Sequence, residues 1–437
     1  MPTINQLRAR EILDSRGRPT VLATCGLVGG ALASASVPSG ASTGSAEAWE
    51  LRDYDPTRYK GLGCRKAVAN INTLIRDLLY GRTVSGQTEL DTLLIELDGS
   101  LNKSRLGANA ILAVSVAFAR AHAKESGCAL YRHFANLLGV TPETMPRLAI
   151  NLFSGGKHAG GQVSIQDVLL VPIRTATINK TLEIARHLYD FAADLIMSRY
   201  GMRALVADEG GLAPPCRTAE EMVALALEVV RRTGFRPRED VALAIDVASA
   251  HFFDGQHYRL NGEFLRGPAM IERLEKWALD YPVVSIEDGL AEDDWEHWQL
   301  LCRKLGASVL ILGDDLLCTN VDRIRKAIET KACNALLLKV NQVGTLTEAA
   351  AACRLARSAG WSVTVSVRSG ETEDNWVADL AVGWKADYFK NGSITRSERL
   401  AKYNRLLEIE EETGWPVSRV CGPLGGSEGT SGGRTLL

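Results

Sequence analysis

At 437 residues the chain is too long for one ordinary core and fits one large domain with a smaller companion. Apolar residues make up 46% and charged residues 23%, the make-up of a globular protein. The net charge of −2 supplies no basic field for nucleic acid, so an anionic substrate needs a local cluster of Lys, Arg and metal.

The N-terminus, MPTINQLRAREILDSRG, is polar and lacks an apolar signal segment. No stretch approaches the ~18 uninterrupted apolar residues of a membrane span, and a cytoplasmic protein with no membrane partner is expected. The nine cysteines are odd in number and include no CxxC pair, which favours reduced thiols over a disulfide framework or zinc. TVLATCGLVGG and ALASASVPSG read as paired strands, ending in a loop with Gly, Ser and Pro from Pro38 to Gly44. GANAILAVSVAFARAHA (107–123) is apolar almost all round and predicts a buried helix. Around Thr141 to Pro146 the chain turns polar and gains two prolines, which sets the expected boundary between domains 1–137 and 138–421. The last stretch, 422–437, is rich in Gly and Ser and is expected to be disordered.

Beyond the boundary a short apolar run followed by a helix repeats. The runs are VALAID (241–246), PVVSIE (282–287), SVLILGD (308–314), NALLLK (334–339) and WSVTVSVRS (361–369). Wholly apolar runs alternating with helices imply parallel strands buried on both faces, as in a βα barrel. The runs stop at Asp246, Glu287, Asp314, Lys339 and Ser369. Strand C-termini of such a barrel converge on one mouth, where active sites lie, and helix capping alone does not explain five such endings in register.

Asp246, Glu287 and Asp314 at strand ends make a hard oxygen site suited to magnesium or manganese. Asp288 and Asp315 directly follow two of them; since a strand alternates its side chains, only one of each pair can face the mouth. Lys339 follows ALLL, and beside a metal and a second cation a buried lysine loses proton affinity and can act as a base. Lys390, in DYFKNGS, is the candidate second cation.

SIEDGLAEDDW, GDDLLCTN, LLLKVNQVGTLTE, RSGETED and VADEGGLAP resemble enolase signatures in enolase order, as do REILDSRGRPTV and VPSGASTGS. The likeness runs from about Glu11 to Glu411. It implies an α/β fold in which an N-terminal α+β domain caps an enolase-type barrel whose second strand is antiparallel. It also implies a Mg²⁺-dependent carbon–oxygen lyase that takes 2-phosphoglycerate, a small phosphorylated carboxylate, to phosphoenolpyruvate, and a homodimer or higher homo-oligomer. One Mg²⁺ with a conformational role would sit on Asp246, Glu287 and Asp314, holding the substrate carboxylate. A second, catalytic Mg²⁺ would be held by the phosphate and by Ser39. Lys339 would remove the proton α to the carboxylate, and Glu209 would help hydroxide leave. Arg368 and Ser369 would bind phosphate and Lys390 the carboxylate, with Gln166 and Val367 also at the substrate, and His158 would close over it. Such a site has independent physical sense, because removing a proton beside a carboxylate places two charges on one group, and fixed cations lower that barrier.

Three positions depart from the family pattern. Val367 stands where enolases carry the histidine of SHRSGETED, and valine can neither hydrogen-bond nor carry charge. Asp167 replaces the glutamate that partners the acid, one methylene shorter, and His251 stands where the family usually has Glu. These departures fit either a glycolytic enolase with tolerated substitutions or a paralogue that keeps enolate chemistry. Carboxyphosphonoenolpyruvate synthase of phosphonate biosynthesis, which uses a phosphonoformate donor, is such a paralogue. A binding-only pseudoenzyme is opposed by the intact acid, base and ligand set. A racemase or cycloisomerase of the wider superfamily is opposed by the PSGASTG loop and the RSGETED segment.

Overall fold

The computed structural model describes residues 1–41 and 43–419, so the Gly/Ser-rich tail lies outside the described residues. The chain opens with an antiparallel meander of β1 (Ile4–Leu13), β2 (Pro19–Leu27) and β3 (Leu32–Ser36). The paired strands expected from sequence are β2 and β3; β1 was hidden by its polar composition, which reflects a half-exposed edge strand. The DSRGRP turn joining β1 to β2 has its own local cause. Asp14 Oδ1 accepts from the backbone N–H groups of Arg16 and Arg18, and Gly17 supplies the positive φ of 69°. The expected buried helix spans Ala108–Glu125 and packs on this sheet, with nearly every side chain inside.

The second unit is an eight-stranded closed barrel. Its strands are β4 (Arg147–Ser154) and β5 (Asp167–Pro172), then, after the short β6 (Leu205–Val206) and β7 (Leu212–Ala213) pair beside β4, β8 (Val241–Asp246). Beyond the hairpin of β9 (Tyr258–Leu260) and β10 (Glu263–Leu265) come β11 (Val283–Glu287), β12 (Leu310–Gly313), β13 (Ala335–Leu338), β14 (Ser362–Ser366) and β15 (Tyr388–Lys390). Pairing of β15 with β4 closes the ring. All neighbours are parallel except at β5, which is antiparallel to both β4 and β8. This is the antiparallel second strand implied by the resemblance. It begins at the mouth where the other strands end, so Asp167 pairs directly with Asp246.

A second apolar cluster including Ala149, Leu169, Ala244, Leu312, Leu337 and Tyr388 fills the barrel interior. The two-residue period of a strand carries this inward face up to the mouth. Ala242 and Ala244 point inward, and so does Asp246; Leu310 and Leu312 lead to Asp314, and Ala335 and Leu337 to Lys339. The run 361–369 ends its regular strand at Ser366, so Val367, Arg368 and Ser369 belong to the loop above the mouth. The cysteines among the described residues are free, and no helix of these residues is long and apolar enough to cross a membrane.

Candidate active site at the barrel mouth

A small cavity at the mouth is lined by His158, Gln166, Glu209, Asp246, Lys339, Val367, Arg368, Ser369 and Lys390, closed by Gly40 and Ala41 of the N-terminal loop. Each of these nine side chains is buried, as is Ser366, which also lines the cavity. Asp246, Glu287 and Asp314 meet here through two lysines. Lys390 Nζ lies 2.7 Å from both Asp246 Oδ2 and Glu287 Oε2, and Lys339 Nζ pairs with Asp314. Gln166 donates to Asp246 at 3.0 Å and Gln342 to Asp314 at 2.8 Å.

The two acids of the Glu287–Asp288 pair differ in their hydrogen bonding. Asp288 turns away from the mouth: its two carboxylate oxygens accept the backbone N–H groups of Asp314 and Asp315, at 3.0 and 2.8 Å. Glu287 and Asp314 are the members that reach the lysines. Burial and the neighbouring charges of Asp246 and Asp314 push the Glu287 carboxyl well above its ordinary range. That is the signature of surplus negative charge. The donor set, all carboxylate oxygen with no thiol or imidazole, suits a hard divalent cation.

At Lys339 burial is the largest influence and opposes the charge, but Asp314 beside it, joined by Glu287, leaves its proton affinity raised. The lowered affinity expected of a base therefore requires Asp314's charge to be drawn elsewhere.

On the opposite wall, His158 Nδ1 is 2.8 Å from Asp167 Oδ2, and its Nε2 is 3.7 Å from Glu209. Burial disfavours the imidazolium, but the Glu209 and Asp167 charges prevail and move its pKa up to about 9. Burial of Glu209 is likewise outweighed, first by His158 and then by Arg399, Lys390 and Lys339, so it stays ionised below its ordinary range. The mobile proton of this pair therefore rests on the histidine. Ser154 donates to Asp167 at 2.5 Å and Asn151 to Glu209 at 3.0 Å, fixing both carboxylates.

Arg368 forms a buried two-pronged pair with Glu47, Nη1 and Nη2 each 3.1 Å from a carboxylate oxygen. Arg399, wholly buried, donates to the carbonyls of Arg368 and Ser369 at 2.7 Å each. Val367 is 5% exposed and gives the cavity an apolar wall. His251 sits in a short helix outside the lining, where burial and the Lys157 charge take its pKa down to about 4.

Ser39 does not itself line the cavity, although the adjoining Gly40 and Ala41 do. Its hydroxyl accepts from Arg52 at 2.8 Å and donates to Glu50 at 3.1 Å, both within the N-terminal domain, which leaves one lone pair of the oxygen open. The loop's other serine, Ser42, lies outside the described residues. Sequence reading missed Glu47, Gln342, Asn151, Ser154 and Arg399. Gln342, three residues past Lys339 in KVNQ, and Asn151, on the inward parity of β4, carried a signal in their spacing; Glu47 and Arg399 carried none.

Two family models match this architecture. The one described as "Enolase, N-terminal domain" covers residues 4–134, and "Enolase, C-terminal TIM barrel domain" covers residues 142–419.

Proposed function

Since this chain belongs to the enolase family of carbon–oxygen lyases, we propose that Lys339 and the His158–Glu209 pair convert 2-phosphoglycerate to phosphoenolpyruvate and water in the mouth cavity. The two matched domains support enolase activity across nearly the whole chain. One observation carries the assignment of roles: a lysine and a protonated histidine–glutamate pair line the same cavity, together with Arg368 and Ser369.

Asp246, Glu287 and Asp314 would hold Mg²⁺, which when bound supplies positive charge to the substrate carboxylate and draws Asp314's charge from Lys339. Lys390 holds a fixed cation at the same place for the carboxylate. Arg368 and Ser369 orient the phosphate, and the Gly40–Ala41 segment excludes water. Lys339 Nζ removes the proton from the carbon bearing the phosphate. The electron pair of that C–H bond is first held as an enolate on the substrate carboxylate, and it forms the new double bond when the neighbouring C–O bond breaks. The departing hydroxide takes the proton stored on His158 through Glu209, leaving as water.

Val367 favours a second reading at the level of substrate, since it leaves an apolar wall where enolases carry a hydrogen-bonding histidine. In a paralogue the enolate would be formed and then used with a second, phosphonoformate-like partner. Both readings share the base and differ in the fate of the hydroxyl. Incubation with 2-phosphoglycerate and Mg²⁺ in deuterated water separates them. Phosphoenolpyruvate formation supports the lyase reading, and α-proton exchange without elimination supports the paralogue. Neither exchange nor elimination would defeat both.

A further inference from the structure

We infer that Arg16, from the N-terminal domain, is a positioning residue for the substrate phosphate: it fixes Ser369 as a hydrogen-bond donor aimed into the cavity. The inference rests on the reading that Ser369 binds phosphate. A serine hydroxyl has one hydrogen to give and two lone pairs to receive. At Ser369 both lone pairs are engaged, one by Arg16 Nη1 at 3.2 Å and one by the backbone N–H of Ala41 at 2.8 Å. The O–H that remains can only donate, and Ser369 lines the cavity. An anion that accepts hydrogen bonds, such as a phosphate oxygen, is what such a group recognises.

The rest of the N-terminal domain is arranged to hold Arg16 there. The Asp14 turn presents it at the tip between β1 and β2, and its side chain is only 8% exposed. Its Nη2 donates to the Ser39 carbonyl at 2.9 Å, so one guanidinium spans the N-terminal loop and the barrel's Ser369. Ser15 beside it accepts the Glu371 N–H at its hydroxyl and donates its own N–H to the Glu371 carbonyl at 2.7 Å, fastening the tip to the barrel. Gly370 makes the approach possible: a Cβ there would fall 2.4 Å from Arg16 Nη2 and 2.7 Å from the Ser39 carbonyl. Ser39 and Gly370 also exchange backbone hydrogen bonds of 2.8 and 2.9 Å. The guanidinium fork matters here, because a single ammonium cannot hold the Ser39 carbonyl and the Ser369 hydroxyl in one plane. Docking of the N-terminal domain thus sets the polarity of the phosphate seat.

The test is a double-mutant cycle on the Mg²⁺-loaded full chain, reading the Kd of 2-phosphoglycerate and of inorganic phosphate by calorimetry. Arg16→Met is expected to weaken both ligands by roughly tenfold or more, the usual range for losing a charge-assisted hydrogen bond. Ser369→Ala is expected to weaken them at least as much, and Arg16→Met in the Ser369→Ala background to add nothing. Arg16→Lys should fall between wild type and Arg16→Met, and it carries the same cycle if Arg16→Met does not fold. An unchanged Kd in the Arg16 variants, with a loss in Ser369→Ala, would overturn the inference alone. Losses that multiply in the double variant would also overturn it, since they mark a general structural role. An unchanged Kd in Ser369→Ala would remove the phosphate assignment itself, and the inference with it.

Discussion

Asp167→Asn isolates the proton store of the proposed acid. His158 is held between Asp167, at 2.8 Å, and Glu209, at 3.7 Å, and its pKa stands at about 9. A rise from the ordinary value of 6.5 to about 9 corresponds to ~3 kcal/mol of folding stability. Because the folded value is the higher one, that contribution is fully present below pH 6.5 and is lost as pH climbs through 9. Asparagine keeps an oxygen for the Nδ1–H but removes the charge. A charge-assisted hydrogen bond is worth about 1.5–3 kcal/mol, so the variant's pKa should fall by about one to two. With no metal added, the ring carbon proton of His158 in NMR reports the titration, and urea unfolding at several pH values reports the stability. Wild type should lose more stability than Asp167→Asn between pH 6.5 and about 9.5. A wild-type His158 that titrates near 6.5, or identical pH slopes in the two proteins, would refute the assignment of the proton to this histidine.

Asp246→Ala, Glu287→Ala and Asp314→Ala should each abolish turnover and weaken Mg²⁺ binding with the fold retained, checked by calorimetry and circular dichroism; wild-type turnover in any one removes it from the ligand set. Lys339→Ala should stop exchange of the α-proton with deuterated solvent, whereas Glu209→Gln should keep exchange and lose elimination. Equal loss of exchange in both would undo the division between base and acid. Removing a hydrogen-bonding group from a developing charge costs roughly 2.7–4 kcal/mol, so Val367→His should raise phosphoenolpyruvate formation by about a hundred- to a thousandfold if elimination limits the rate. No gain, beside already rapid wild-type turnover, would mean that the valine is tolerated.

Most of the barrel was legible because its interior strands are apolar runs with a charged end, and the charged ends meet at the mouth. Asp246, Asp314 and Lys339 each continue the inward parity of the strand before them, so pattern alone placed them at the mouth. The choice of Glu287 over Asp288 was not legible. It depends on Asp288 turning back to accept the Asp314 and Asp315 N–H groups, with a positive φ of 42° that no spacing announces. The short β15, the partly polar β1 and the antiparallel β5 lacked the pattern by which other strands were found. The partners of Ser39 were not legible, because a loop hydroxyl in sequence says nothing of them, and here Arg52 and Glu50 engage it. The state of the proton was equally hidden. That Lys339 stays charged beside Asp314, and that His158 rather than Glu209 carries the acid's proton, depend on distances between strands far apart in the chain.

If one cavity holds both a base for the α-proton and an acid for the β-hydroxyl of 2-phosphoglycerate, both must be needed for a single turnover. Mixing the wild-type protein with 2-phosphoglycerate under saturating Mg²⁺, and tracking the rise of phosphoenolpyruvate absorbance, tests it most directly. Continuous formation of phosphoenolpyruvate that is abolished in both Lys339→Ala and Glu209→Gln is the expected result. Exchange of the α-proton with no phosphoenolpyruvate formed, or turnover that survives in either variant, would contradict it.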